Sequence, residues 1–207
     1  MNFIDCIAKL QVAFSKPLPG YEGQQLLAPV HRKSTNFYLE LNPAYKTGCV
    51  MILLFPVKEE TRLLMIERSD IGTHSGQISF PGGRREMDDA NLIDVALRET
   101  YEEVGVNPST IKILGELTEL YIPVSNYLVH PFVGIINELP ELNISTSEVK
   151  NVLTPSLKTF FNNNPITTHD FKSYDGQIIN APYYAFEQHK IWGASAMMIS
   201  ELCVLLK

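Results

Sequence analysis

Residues 98–105 read Arg98-Glu99-Thr100-Tyr101-Glu102-Glu103-Val104-Gly105. Glu99, Glu102 and Glu103 stand at i, i+3 and i+4. On a helix turning about 100° per residue they fall within roughly 100° of arc. Carboxylates so close repel one another, and a solvated helix would interleave cations at those spacings. Arg98 is the nearby cation. Leu92, Val95 and Ala96 lie on the same flank one and two turns earlier, so this flank is expected to face protein. Clustered carboxylates there need a compensating charge, and an all-oxygen set of glutamates suits Mg2+ or Mn2+. Taken alone, the helix also admits a solvated acidic patch, since runs of charge usually lie at the surface.

Working outward, Ser79-Phe80-Pro81-Gly82-Gly83 precedes this helix. Two glycines where a strand becomes a loop permit positive φ and close backbone approach to a ligand or metal. By itself Gly-Gly is more often a turn. The helix is expected over about Ala90–Val104, capped by Asp88 or Asp89 and ended by Gly105 and Pro108. Leu-, Ile- and Val-rich runs at Cys49–Val57 and Arg62–Glu67 read as buried strands around the polar turn Lys58-Glu59-Glu60-Thr61. Gln77–Phe80 reads as a short strand.

Beyond the helix, strands are expected near Ile111–Tyr121 and Tyr127–Ile136. Ser145–Phe161 reads as a helix with a break admitted at Pro155, and Asn162–Ala181 as loop-rich. Tyr183–Trp192 reads as a strand and Gly193–Leu206 as a closing helix. At the N-terminus Phe3, Ile7, Leu10 and Phe14 are spaced as an amphipathic helix that stops at Lys16-Pro17. Residues 17–48, with prolines at 17, 19, 29 and 43, read as a mostly irregular wrap. The mixed order of elements implies an α/β sandwich around one mixed sheet.

The glycines and the glutamates together resemble the Nudix box, G-x5-E-x7-R-E-U-x-E-E-x-G-U, where U is a bulky aliphatic residue. Gly83 is followed by five residues and Asp89. Eight more precede Arg98-Glu99, and Glu102-Glu103, Gly105 and Val106 complete the pattern. Asp89 replaces the glutamate, the second spacer is one residue longer, and Thr100 is not aliphatic. None of these departures disturbs the spacing of the three glutamates. The variant box is similar to that of the coenzyme A pyrophosphatase branch. Leu63-Leu64-Met65-Ile66-Glu67-Arg68-Ser69 and His74-Ser75-Gly76-Gln77-Ile78-Ser79-Phe80-Pro81-Gly82-Gly83 look like that branch's second signature. His130-Pro131-Phe132-Val133-Gly134, Ser147-Glu148-Val149 and Ile191-Trp192-Gly193-Ala194 look like its later landmarks. The likeness covers roughly residues 46–206. Where the signature carries a Leu-Arg pair, this sequence has Asp70-Ile71-Gly72-Thr73, one residue shorter and without a cation.

The resemblance implies a Nudix-type α/β/α sandwich around a mixed sheet, with residues 1–45 as an N-terminal helix and wrap and 46–207 as the hydrolase domain. It implies a pyrophosphohydrolase in which Glu99, Glu102 and Glu103 hold Mg2+ or Mn2+. The expected substrate is coenzyme A or acyl-coenzyme A. Other Nudix substrates such as ADP-ribose or a dinucleotide, and a non-catalytic Nudix-fold binding module, are the alternatives.

Individual residues carry competing roles. Arg98 neutralises and orients the glutamates, or is an ordinary i, i+4 partner of Glu102. Glu148 is a candidate general base, but Ser145-x-x-Glu148 is also a capping box before Val149, and the capping reading is preferred. His74 contacts substrate or is a solvated loop histidine. Arg84 and Arg85, beside Gly82 and Gly83, hold phosphate oxygens or are solvated, and Arg68 is a further candidate cation. Trp192 stacks on a base or, the preferred reading, sits in the core.

Net charge at pH 7 is −6 over 207 residues, which does not indicate a nucleic-acid polymer as partner. No membrane span is apparent. Cys6, Cys49 and Cys203 are scattered, with no Cys/His cluster for zinc, and read as free thiols in a reducing cytoplasm. Asn143-Ile144-Ser145 matches a glycosylation sequon without a secretion signal and is set aside. The assembly is left open, with a homodimer admitted.

Overall fold

The computed structural model describes residues 1–70, 75–161, 167–172 and 176–207. The chain opens with helix α1 (Phe3–Ala13), then α2 (Tyr21–Gln24), a 3-10 turn (Gln25–Leu27) and α3 (Thr35–Leu41). Strands β1 (Lys46–Val57), β2 (Glu60–Arg68), β3 (Ile78–Ser79) and β4 (Gly82–Arg84) lead into α4 (Leu92–Val104). Next come β5 (Lys112–Glu116), β6 (Leu120–Ile122), β7 (Tyr127–Ile135), β8 (Val149–Leu153) and α5 (Lys158–Phe161). The chain ends with β9 (Thr167–Lys172), β10 (Ile178–Phe186), β11 (His189–Trp192) and α6 (Gly193–Leu205).

Strand β1 is the spine of a mixed sheet ordered β3-β2-β1-β7-β5, with β4 paired to β1, β6 to β7 and β8 to β2. The β1–β7 pair is parallel, and the other pairs are antiparallel. The apolar run in β1 is continuous because both faces are covered. Cys49, Met51, Leu53 and Phe55 point to the side of α4, with Val95, Ala96 and Val104. Ile52 and Leu54 point to the opposite side, with Leu10 of α1 and Met197, Ile199 and Leu202 of α6. Strand periodicity of two sorts one apolar run into two cores. Two helical layers therefore enclose the sheet, as the α/β/α expectation required. A three-stranded sheet, β11-β10-β9, adjoins α6.

Helix α6 is buried continuously from Ser195 to Cys203. A helix closed on all sides needs a second cover besides the sheet, and the N-terminal segment supplies it. Lys9 donates from Nζ to the Leu206 carbonyl at 2.8 Å, and Ser200 donates from Oγ to the Gly23 carbonyl at 2.6 Å.

Several local expectations are corrected. Ser145–Phe161 is not a helix: Val149–Leu153 is strand β8, registered against Met65–Arg68 of β2, and only Lys158–Phe161 is helical. Val149, Val152 and Leu153 fit helical spacing, but the open edge of β2 offers backbone partners that local propensity cannot match. Within the described residues, the loop-rich reading of Asn162–Ala181 gives way to β9 and the start of β10, residues 162–166 and 173–175 lying outside the described residues. The single strand Tyr183–Trp192 is the β10–β11 hairpin, whose turn runs through Glu187 at φ 51°. The expected strand Ile111–Tyr121 is interrupted between β5 and β6. There the Leu117 N–H donates to the Pro131 carbonyl at 2.8 Å and Thr118 turns to Glu201. The wrap contains α2 and α3, the latter capped by Ser34, with the prolines outside both. Helix α4 is capped by Asn91, which accepts from the N–H groups of Ile93 and Asp94 at 2.9 and 3.1 Å. Asp89, the expected cap, is committed to Arg98.

Candidate active site

The β1–β4 pairing sets Gly82 opposite Val50 and Gly83 opposite Cys49. Gly82 has φ 154°, and a Cβ there would lie 2.2 Å from the Cys49 carbonyl oxygen. A Cβ on Gly83 would fall 2.3–2.5 Å from the carboxylate atoms of Glu99. Both positions therefore need glycine, one for the strand and one for the glutamate that lies over it.

On α4 the three glutamates are treated unequally. Glu103 is 1 % exposed. Its Oε2 accepts from the Gly82 N–H at 2.9 Å, and its Oε1 lies 3.7 Å from Nη1 of Arg68. Burial pushes this carboxyl up to about 7, with the Gly82 N–H and Arg68 opposing and Glu99 and Glu148 adding repulsion. Burial also raises Glu99, against the pull of Arg98. Glu102 is half-exposed.

Arg98 is both things the sequence offered. Its Nε and Nη2 donate to the two oxygens of Asp89, both at 3.0 Å. Nη1 donates to Glu99 and to Glu102 at 3.0 Å each, and Nη2 also reaches the Arg84 carbonyl. One guanidinium thus ties the loop after β4 to two glutamates, with the planar fork that suits such a role. Asp89 is held below the usual carboxylate range by Arg98, and it accepts from the Glu86 N–H at 2.7 Å.

Glu148 is exposed in the turn before β8. The capping reading fails because no helix follows, and the Val149 N–H bonds instead to the Ser145 carbonyl at 2.8 Å. The Glu148 carboxylate is near enough to raise both Glu99 and Glu103. Arg68 ends β2 at the cleft, about one third exposed. Arg84 is exposed with Nη2 3.5 Å from Glu86, and Arg85 is exposed with its N–H on the Thr47 carbonyl. His74 lies outside the described residues.

Arg68, Gly82, Gly83 and Arg84 line a cleft of about 290 Å³. It adjoins a more apolar cavity of about 200 Å³ that shares Val50, Arg68, Gly82, Ile122 and Val129. Trp192 lines this cavity, half-buried rather than in the core, and stacks on Phe171 at 4.1 Å and 5°. Arg32 of the wrap lines it too. No local pattern linked Arg32 to the site, because it arrives through the packing of the N-terminal segment.

Among the described residues no three carboxylate, imidazole or thiol groups close around one point as a finished cage. The donor set nevertheless fits a hard divalent cation. Two of the three clustered carboxylates are withdrawn from water and raised by burial, and that repulsion is what such an ion relieves.

The NUDIX domain model matches residues 46–162 of this chain. The chain belongs to the Nudix family. It is 33% identical over 153 residues to a Nudix hydrolase, NudL, of Photorhabdus laumondii, covering 72% of this chain and 81% of that one. It is 33% identical over 183 residues to the NudL of Escherichia coli, covering 87% and 89%. Nudix hydrolase 3 of Caenorhabditis elegans is 30% identical over 173 residues, covering 76% and 72%. Among solved structures, a MutT/nudix family protein of Enterococcus faecalis superimposes with TM-score 0.53 at 18% identity, covering 87% of this chain and 71% of that one. The MutT protein of Methanosarcina mazei gives 0.50 at 18%, covering 77% and 93%. These likenesses agree with the Nudix sandwich. The protein is a Nudix hydrolase, an enzyme class that acts on nucleoside diphosphate derivatives and generally uses divalent metal ions such as Mg2+ or Mn2+. Among the described residues no helix is long and apolar enough to cross a membrane.

Proposed function

We propose that this enzyme hydrolyses the diphosphate of coenzyme A or an acyl-coenzyme A, giving (acyl-)phosphopantetheine and adenosine 3′,5′-bisphosphate. The observation that carries this reading is the apolar cavity that opens from the Gly82–Gly83 cleft, with Arg68 at the junction and Arg32 further in. A diphosphate in the cleft would place its nucleoside half against apolar walls and a second cation. Coenzyme A has such a half, and its ribose carries a phosphomonoester. The signature-like stretch from Leu63 to Gly83 supports the same branch.

Glu99, Glu102 and Glu103 would hold Mg2+ or Mn2+, which would supply positive charge to the diphosphate and acidify a water. Arg98 keeps Glu99 and Glu102 in place through Asp89. The glycines let phosphate oxygens approach the backbone closely, and Arg68, Arg84 and Arg85 offer charge-assisted contacts to them. His74, which lies outside the described residues, is kept as a further candidate substrate contact on its sequence context alone. Glu148, exposed and close to Glu99 and Glu103, accepts the proton of the attacking water. The catalytic domain is residues 46–207, with residues 1–45 wrapped on α6.

The test is a panel of coenzyme A, acetyl- and longer acyl-coenzyme A, ADP-ribose and dinucleoside polyphosphates with Mg2+ and Mn2+, products identified by mass. The expected result is the highest kcat/KM for a coenzyme A form, with adenosine 3′,5′-bisphosphate as product. A higher value for ADP-ribose or a dinucleotide overturns the substrate and leaves the Nudix hydrolase.

A further inference from the structure

Arg32 is far in sequence from the glycine and glutamate segments and is placed by three backbone contacts. Its N–H donates to the Pro29 carbonyl at 3.0 Å, and its carbonyl accepts from Tyr21 Oη at 2.9 Å. The turn that delivers it is tied to β10 by the Val30 N–H, which donates to the Asn180 carbonyl at 3.0 Å. His31 adopts φ 68°, a left-handed conformation that a non-glycine residue takes at a cost. The chain is thus held in an unfavourable turn at the point where Arg32 enters the cavity.

The guanidinium is only partly satisfied there. Nη2 donates to the Tyr121 carbonyl, and Cζ lies 5.5 Å from the centroid of the Tyr38 ring. Nε is closed from solvent and has no hydrogen-bond partner among the described residues. No carboxylate lies within ion-pair distance of Arg32 among them. Burial correspondingly pulls its pKa down, opposed by the phenols of Tyr38 and Tyr21 and by no carboxylate. Ser79 lines the same cavity, and its Oγ is also enclosed without a partner. An arginine with an unmet Nε–H and no carboxylate partner, and an unmet hydroxyl in the same apolar cavity, are costly unless a ligand answers them. The remaining walls, Phe80, Ile122, Ile179 and Trp192 among them, suit a flat apolar ring.

We propose that Arg32 is the receptor for a phosphomonoester on the nucleoside half of the substrate, which sits in this cavity with Ser79 as a second contact. The inference rests on the coenzyme A reading and deepens it. Arg68 serves the diphosphate at the junction, and Arg32 reads the group that separates coenzyme A from its dephospho form. The cation that the sequence lacks at Asp70-Ile71-Gly72-Thr73 is supplied from the N-terminal wrap. A planar guanidinium gives two parallel donors to a phosphate, so selectivity depends on the fork as well as the charge.

The experiment compares kcat/KM for coenzyme A and dephospho-coenzyme A in the full chain, as wild type, Arg32→Gln and Arg32→Lys. Wild type should prefer coenzyme A by on the order of 10²-fold, the loss expected when a desolvated donor is left unmet. Arg32→Gln should bring the ratio of the two kcat/KM values close to one, because its fall is much larger on coenzyme A than on dephospho-coenzyme A. Arg32→Lys should keep an intermediate preference. Calorimetric titration with adenosine 3′,5′-bisphosphate and with 5′-AMP, both in EDTA, reads the same selectivity without turnover. Wild type should favour the bisphosphate. Parity between the two nucleotides there overturns the proposal even if neither Arg32 variant folds. Parity of wild type on coenzyme A and dephospho-coenzyme A overturns the substrate reading and this inference together. A preference that survives in Arg32→Gln, or an equal fall on both substrates, overturns only the role given to Arg32.

Discussion

Glu103 on α4 and Glu201 on α6 are both withdrawn from water, on opposite faces of the sheet, at 1 % and 0 % exposure. Their surroundings differ. Glu201 accepts from Thr118 Oγ1 at 2.6 Å, the Thr118 N–H at 3.2 Å and Gln24 Nε2 at 2.9 Å, with the Gly20 backbone adding to these. Its donors come from the wrap and from the break between β5 and β6, so one carboxylate fastens three segments. Glu103 has one N–H, from Gly82, and a distant arginine, and it faces two other carboxylates that raise it further. A buried carboxylate surrounded by donors is part of the architecture. One left short of donors among its own kind is a candidate functional group. The same residue type, equally buried, is thus answered by donors in one layer and left short of them in the other, and the metal role proposed for Glu103 rests on that contrast.

The contrast can be broken most directly at Glu103. Glu103→Gln keeps an acceptor for the Gly82 N–H but is a poor ligand for a hard cation. It should lower kcat by about 10²–10⁴-fold, with the melting temperature unchanged or raised because a repelling charge is gone. Steady-state rates beside a melting curve check both halves. Wild-type turnover in this variant would remove Glu103 from the metal set.

The next effect concerns Glu148. With no helix for it to cap, Glu148→Gln should lower kcat by about 10²-fold and leave the melting temperature within error. A fall in stability with kcat intact would return it to a structural role.

On the architectural side, Glu201→Leu leaves the donors of Thr118 and Gln24 unmet. It should destabilise by about 1–3 kcal/mol in denaturant unfolding while kcat per folded molecule stays at the wild-type value. Lost turnover without lost stability would erase the distinction between the two glutamates.

The smallest effect is a pH dependence. Burial holds the Glu201 carboxyl above its unfolded value. Its contribution is therefore fully present below the unfolded value and lost as pH rises through the folded one. As pH falls from neutrality toward about 4.5, the melting temperature of wild type should gain on that of Glu201→Gln, with titrations shared by both proteins cancelling in the difference. A flat difference would show that the donors around Glu201 cancel its burial, and a reversed slope that they outweigh it.

What the sequence determined by itself is local and regularly spaced. The positions i, i+3 and i+4 place Glu99, Glu102 and Glu103 on one flank of α4. The Gly-Gly pair is legible because only glycine tolerates the approach seen at Gly82 and Gly83. Helices α1 and α6 and strands β1, β2 and β7 follow from periodicity and apolar run length. The tertiary structure decided the rest, because the deciding partners are distant in the chain. Val149–Leu153 became a strand because the edge of β2 was open, and that change took Glu148 out of a helix cap and left it beside the glutamates. Asp89 left the helix cap because Arg98, a turn and more away, offered two donors. Glu201 and Arg32 carry no local signal: an isolated glutamate in an apolar helix and an arginine in a proline-rich wrap acquire meaning only from what packs against them. Spacing along a chain reveals groups that one element presents together, whereas burial and the absence of a partner exist only once separate elements have closed over the same space.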